Sequence, residues 1–323
     1  MNEEKKEKEA ARFDEILSDI RREINQAHLG VNRRRDLIKQ IEDYENDKKR
    51  KLILYIAKEG APIDSADIAP FGSMLQSVGK TKYLDLMLQS AGGAGTTAEK
   101  IVDLCRHYCE PDGEFRVIIP QMAKSAATLI AIASDQIVMG VTSEIGPIDP
   151  QVPVIQAGVP HYISAQSFIN AKTDLEKQTQ EAISKNQSTQ PYLVQLSTLH
   201  QPFIQHCIHL IGFAKDFATT NLERHMCKDN KQSAEDIATK LLSTSKYFVH
   251  GRMITAENIL KDEQLKNLNI KYLKDDDPYW VLIYKLYLSA EIFLNIDNEP
   301  PFRKGKLLES ADFFMVATIP YRN

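Results

Sequence analysis

Phe115-Arg116-Val117-Ile118-Ile119-Pro120, followed one residue later by Met122-Ala123-Lys124-Ser125-Ala126-Ala127-Thr128-Leu129-Ile130-Ala131, decides the fold class. The first piece is short, apolar and β-branched, as a strand buried on both faces is, and the second is a run of small and apolar residues suited to a packed helix. A strand that turns directly into a helix is the repeating unit of an α/β protein. The turn also has a chemical use. A serine held there has an exposed side chain, and the free N–H groups of the helix's first turn point at whatever it attacks.

Working outward, Leu86-Met87-Leu88-Gln89-Ser90-Ala91-Gly92-Gly93-Ala94-Gly95 is a second strand, ending in glycines whose bare backbone N–H groups suit a substrate oxyanion. Leu52-Ile53-Leu54-Tyr55-Ile56 and Gln136-Ile137-Val138-Met139 read as further strands, and residues 65–78 and 96–109 as helices between them. The alternation predicts α/β architecture with a mostly parallel, covered sheet.

On either side the pattern changes. Phe13, Ile16, Leu17, Ile20 and Ile24 recur at helical spacing among charges, and Leu37, Ile38 and Ile41 resume the stripe beyond Gly30. This is an amphipathic arm over residues 1–50 that must bury its stripe on the body or on a second copy. Residues 51–275 form the main domain, with a helical insertion at about 164–242 where strand signals vanish and Leu193, Leu196, Leu199, Phe203, Cys207, Leu210 and Phe213 keep a helical period. Lys246-Tyr247-Phe248-Val249-His250-Gly251-Arg252-Met253-Ile254 reads as strand-like, and Thr255 as the cap of a short helix. Residues 276–323 read as a helical extension with a loop at Pro300 and Pro301.

Composition narrows the partners. With 43% hydrophobic residues over 323, the chain can build a substantial core, and a net charge of −4 with mixed signs leaves no basic stripe for nucleic acid and no polybasic tract for a membrane surface. No apolar run approaches the roughly 18 residues of a membrane span, so a cytoplasmic protein is expected. Cys105, Cys109, Cys207 and Cys227 are then reduced thiols rather than a disulfide framework. No cofactor motif is present, since the glycines lack both the Walker lysine pattern and a full dinucleotide fingerprint.

Ser90-Ala91-Gly92-Gly93, Lys124-Ser125-Ala126-Ala127-Thr128, Asp135-Gln136-Ile137-Val138-Met139 and Glu144-Ile145-Gly146-Pro147-Ile148-Asp149-Pro150-Gln151 stand in the order found in the Clp/crotonase superfamily of serine peptidases. Within it the chain resembles the serine dehydrogenase proteinase family most, relatives of signal-peptide peptidase A, over about residues 52–268. The resemblance implies a Clp/crotonase-like spiral of βα units, homo-oligomeric, cleaving peptides or unfolded protein without a cofactor. It implies Ser125 as nucleophile and the N–H groups of Gly93 and Ala126 as oxyanion donors. In Clp subunits the histidine follows the serine and the acid comes later. Here the first of those places holds Asp149 and the second His250, so base and acid stand exchanged, which triad chemistry permits because roles follow geometry and not chain order. His250 then takes the serine's proton and Asp149 orients its ring.

Other readings stay open. Signal-peptide peptidase relatives use a Ser-Lys dyad, for which Lys172 and Lys177 are the candidates; both fall in a polar helical stretch where a solvated charge is the default, and a buried lysine needs a depressed pKa to act as a base. Ser125 is also a residue type favoured as a plain helix cap, and Asp149 before Pro150 a plain turn former. A non-catalytic scaffold and an acyl-CoA enzyme of the crotonase type share the fold. His200, His206, Cys207, His209, His225 and Cys227 cluster without a zinc-ligand motif, so no metal is expected and helix packing is the reading of that stretch.

Overall fold

The computed structural model describes residues 29–45, 47–228, 230–247, 249–296 and 298–321. Helix α1 (Leu29–Glu42) leads into β1 (Lys51–Ala57), a single 3-10 turn and α2 (Ile68–Val78). Then come β2 (Thr81–Gln89), α3 (Gly95–Tyr108), β3 (Cys109–Ile119), β4 (Met122–Ala123), α4 (Ala126–Ile132), β5 (Gln136–Met139) and β6 (Glu144–Ile145). A hairpin of β7 (Gln151–Gln156) and β8 (Val159–Ser164) precedes the helices α5 (Ala165–Ser184), α6 (Gln190–Thr198), α7 (Gln201–Arg224), α8 (Lys231–Leu242) and α9 (Thr244–Tyr247). The chain closes with β9 (Ile254–Thr255), α10 (Ala256–Lys261), β10 (Ile270–Tyr272), α11 (Pro278–Asn295), β11 (Phe302–Glu309) and β12 (Phe314–Pro320).

The central sheet runs β10-β5-β3-β2-β1-β11-β12. From β10 to β1 every pairing is parallel, and β11 and β12 continue antiparallel. Side chains alternate between the faces, which is why these strands are apolar throughout. Ile53, Tyr55, Leu86, Leu88, Val117 and Ile119 face the core under α2, α3 and α4, whereas Leu52, Leu54, Met87, Ile118 and Val138 face α1 and α11. The α/β class and the mostly parallel sheet are as the sequence predicts. Leu37, Ile38 and Ile41 bury their stripe on the body of the molecule. Phe13 to Ile24 lie outside the described residues.

The helical insertion divides in two. Phe217, Leu222, Ile237 and Leu241, from α7 and α8, belong to the main core, and Leu241 accepts the N–H of Ile148 at 3.0 Å. By contrast α5 packs on the start of α7 in a small satellite around Ala165 and Cys207.

Two expectations are corrected. The strand read over 246–254 is instead helix α9, a tight turn and only two strand residues, because only Ile254 and Thr255 meet a partner, on Ile145 and Glu144. The helical extension read over 276–323 holds one helix, α11, and then a β-hairpin that completes the sheet. Its strand pattern is disguised by charge: Lys306 and Glu309 are fully buried, neutralised by Asp67 at 2.7 Å and by Arg34 at 2.6 Å.

Candidate active site

The strand β2 ends at Gln89, and the loop beyond it is held on two sides. Ser90 donates its N–H to Met122 O and accepts from Lys124 N, at 3.1 and 3.0 Å, while Gly92 O takes the N–H of Ile63 and Ala94 N reaches back to Ile63 O. Both glycines are required by contact as well as by backbone conformation. Gly92 has φ +104°, and a Cβ on it would lie 2.7 Å from Lys124 O and 2.8 Å from Ser125 Cβ. Gly93 has φ +154°, and a Cβ there would sit 2.2 Å from Ile63 O. The glycine loop is therefore pressed against the serine turn. Among the described residues, no acceptor takes the N–H of Gly93 or of Ala126.

Ser125 has φ +51° and ψ −118°, a conformation that side-chain-bearing residues rarely adopt. Its side chain makes no cap bond to the helix it precedes, so the plain capping reading of this serine does not hold. Behind it Thr128 fastens α4 to its surroundings, with Oγ1 at 2.7 Å from Ala123 O, 3.0 Å from Gly146 O and 3.2 Å from Gly146 N.

A three-stranded sheet in the order β4-β6-β9 brings the other two residues to this end of the molecule. β4 and β6 are parallel, so Ser125, just after β4, and Asp149, just after β6, leave the sheet at the same end. β9 runs antiparallel to β6, so His250, just before β9, lies at that end too. Chain order is irrelevant to this convergence. His250 Nδ1 and Asp149 Oδ1 are 2.8 Å apart, with Asp149 buried and the His250 side chain 26% exposed. Gln151 donates to the second carboxylate oxygen, Oδ2, at 3.0 Å. The pair opens into a cleft of about 350 Å³ whose walls include Tyr162, Ile163, Tyr247 and Val249. No hydrogen bond joins Ser125 Oγ to the His250 ring among the described residues, and such bonds commonly tighten only when substrate is bound.

The lysines of the alternative reading are elsewhere engaged. Lys172 on α5 holds Glu176 at 2.6 Å, one turn along the same helix, and Lys177 is exposed. His225 Nδ1 is 3.4 Å from Asp135, and Cys207 and Cys227 are buried in packing contacts. Two residues of the site escape a reading of the sequence. Gln151 carries no signal beyond its place after Asp149. Lys124 resembles a solvated charge, yet its ammonium is 2.7 Å from Glu144 and its side chain is 11% exposed.

Two uncharacterized proteins of Methanocaldococcus jannaschii are each 36% identical to the chain, over 78 and 69 residues. These matches cover 24% and 21% of this chain, and the chain spans about a quarter of the length of either relative, 26% and 23%. Among solved structures, the chain is similar to a mutant of the 1510-N membrane-bound stomatin-specific protease, at 16% identity, TM-score 0.39, and 73% and 82% of the two chains. A second mutant of that protease, in complex with a substrate peptide, gives 17% identity, TM-score 0.32, and 75% and 96%. Residues 34–179 match the model for ClpP-like SDH-type serine proteinases. That stretch, which carries the glycine loop, Ser125 and Asp149 but not His250, is what makes the chain similar to the ClpP-like SDH-type serine proteinase family.

Proposed function

We propose that this chain is a serine endopeptidase working through a Ser125–His250–Asp149 triad on peptides or unfolded segments. Ser125 Oγ attacks the scissile carbonyl while His250 Nε2 takes its proton, and the resulting oxyanion receives the N–H groups of Gly93 and Ala126. Collapse of the tetrahedral intermediate breaks the C–N bond, and His250 hands the proton to the leaving amine. Water then releases the acyl group by the same steps in reverse roles. Asp149 holds the ring with Nδ1 protonated, leaving Nε2 as the base. The observation that carries this reading is the 2.8 Å contact of Asp149 with His250 at the end of the small sheet from which Ser125 also emerges. The Ser-Lys alternative requires a buried lysine, and neither Lys172 nor Lys177 supplies one.

The test is labelling with a fluorophosphonate probe, followed by intact mass. Labelling is expected in the wild type and in Lys177→Ala, and its rate should fall about 10⁴-fold in His250→Ala and vanish in Ser125→Ala. Folded wild-type protein that takes no label would overturn the reading. A homo-oligomer is part of the same reading, because Ile155 and Tyr162 stand exposed on one face of the β7–β8 hairpin and apolar surface of this kind is ordinarily covered. Sedimentation equilibrium that returns only monomer would remove that part. No helix among the described residues is long and apolar enough to cross a membrane.

A further inference from the structure

Lys124 lies immediately before Ser125, and its two ends reach different parts of the site. Its backbone N–H goes to Ser90 O at 3.0 Å, and its carbonyl accepts from Ala127 at 2.8 Å, so the main chain links the glycine strand to the serine helix. Its side chain runs the other way, across β6. The ammonium is 2.7 Å from Glu144 Oε1 and 3.4 Å from the carbonyl oxygens of both Gly251 and Arg252, the two residues that follow His250. The methylene stem passes over Gly146, where a Cβ would come within 2.6 Å of Lys124 Cδ.

A nearly buried lysine is a costly choice. It gives up rotamer freedom and hydration, and apolar residues of similar volume often replace buried ion pairs with no loss of stability. What the charge holds is therefore informative. Among the described residues, the turn at 249–252 has few fastenings of its own: Val249 N to Tyr247 O, Arg252 N to Val249 O, and the His250–Asp149 contact. The two carbonyls turned towards Lys124 tie the turn, ahead of β9, to the strands that carry Ser125 and Asp149.

We propose that Lys124 is a positioning residue for the His250 turn: it fixes the turn's carbonyls against Glu144 and so keeps the His250 ring aligned between Asp149 and Ser125. This rests on the triad reading above. A base displaced by an ångström loses much of its effect, so the expected cost of losing Lys124 falls on the chemical step and not on probe binding.

Saturating fluorophosphonate kinetics separate the two, through the maximal labelling rate and the half-saturating probe concentration. Lys124→Met should lower the maximal rate roughly 10- to 100-fold with half-saturation changed less than about two-fold, and Lys124→Arg should restore most of the rate. Because Lys124→Met strands Glu144, the double variant Lys124→Met with Glu144→Gln removes both charges together. It should melt near the wild-type temperature and still label slowly. Wild-type labelling by the folded double variant, a loss confined to half-saturation, failure of Lys124→Arg to restore the rate, or unfolding of both the single and double variants would overturn the proposal while leaving the triad intact. Labelling that persists in Ser125→Ala would instead bring down the triad, and this inference with it.

Discussion

At Ser125 function and stability pull in opposite directions. Its φ of +51° with ψ of −118° is a region that glycine occupies freely and other residues enter at a cost of about 1–3 kcal/mol. Ser125→Ala keeps that strain and loses the hydroxyl, whereas Ser125→Gly relieves it at the smaller cost of about 0.4–1 kcal/mol of added unfolded-chain freedom. Ser125→Gly is thus expected to be unlabelled by a fluorophosphonate and yet more stable than Ser125→Ala by about 1 kcal/mol in urea unfolding. Equal stability of the two variants would mean that the turn is not strained. Gly92 faces the reverse situation. With φ +104° and a would-be Cβ only 2.7 Å from Lys124 O, Gly92→Ala must push the loop away from Ser125. It should lose at least about 10²-fold in labelling rate, as removal of one oxyanion donor does.

The three short strands β4, β6 and β9 make the candidate site, and Thr128 holds the first two together from behind. Its hydroxyl donates to one of two carbonyls, Ala123 O or Gly146 O, and takes the Gly146 N–H. Thr128→Val keeps the shape and removes the hydroxyl's bonds, leaving the Gly146 N–H to Ala123 O alone, at 3.2 Å, which costs about 0.5–1.5 kcal/mol. A fall of that size in urea stability, with slower labelling, is the expected result, and wild-type values in both would show that the staple is dispensable. This element is also where the sequence speaks least. β1, β2, β3 and β5 are legible because burial on both faces makes them apolar runs, and Ser125 is legible because a strand abuts a helix there. β4, β6 and β9 are two residues each, too short for any periodicity. β11 is hidden because Lys306 and Glu309 are neutralised by Asp67 and Arg34, residues more than two hundred positions away. His250 is visible as a residue but not as a turn, since its conformation is set by Asp149, Lys124 and Glu144 across space.

For the whole molecule, the carboxylates that hold elements together determine how the fold responds to acid. Burial favours the neutral form of Asp135, but its contact with His225 and the bonded charge of Arg106, with the Phe115 N–H, more than offset this and bring it down to about 2. Burial likewise opposes the ionised form of Glu45, at the junction of α1 with the sheet, and Arg116 and Lys271 outweigh it, again to about 2. Both groups are lowered relative to the unfolded chain. The stability they contribute is present above the ordinary carboxylate range, near 4, and is lost as pH falls towards 2. Glu42 and Glu291 run the other way, because burial raises both and their ionised forms oppose folding. They take up protons before the unfolded chain does, so mild acid relieves that opposition. The stability curve should therefore stay level or rise slightly from pH 7 towards 5 and then drop steeply between about 4 and 2. Urea unfolding of wild type and Asp135→Asn across that range checks the assignment. The variant should be the less stable at pH 7, and the gap should narrow once the wild-type Asp135 is itself protonated. A gap that stays constant down to pH 2 would mean that Asp135 acts by its shape and hydrogen bonds alone, and that the charge of Arg106 has no part in holding α3 to the start of β5.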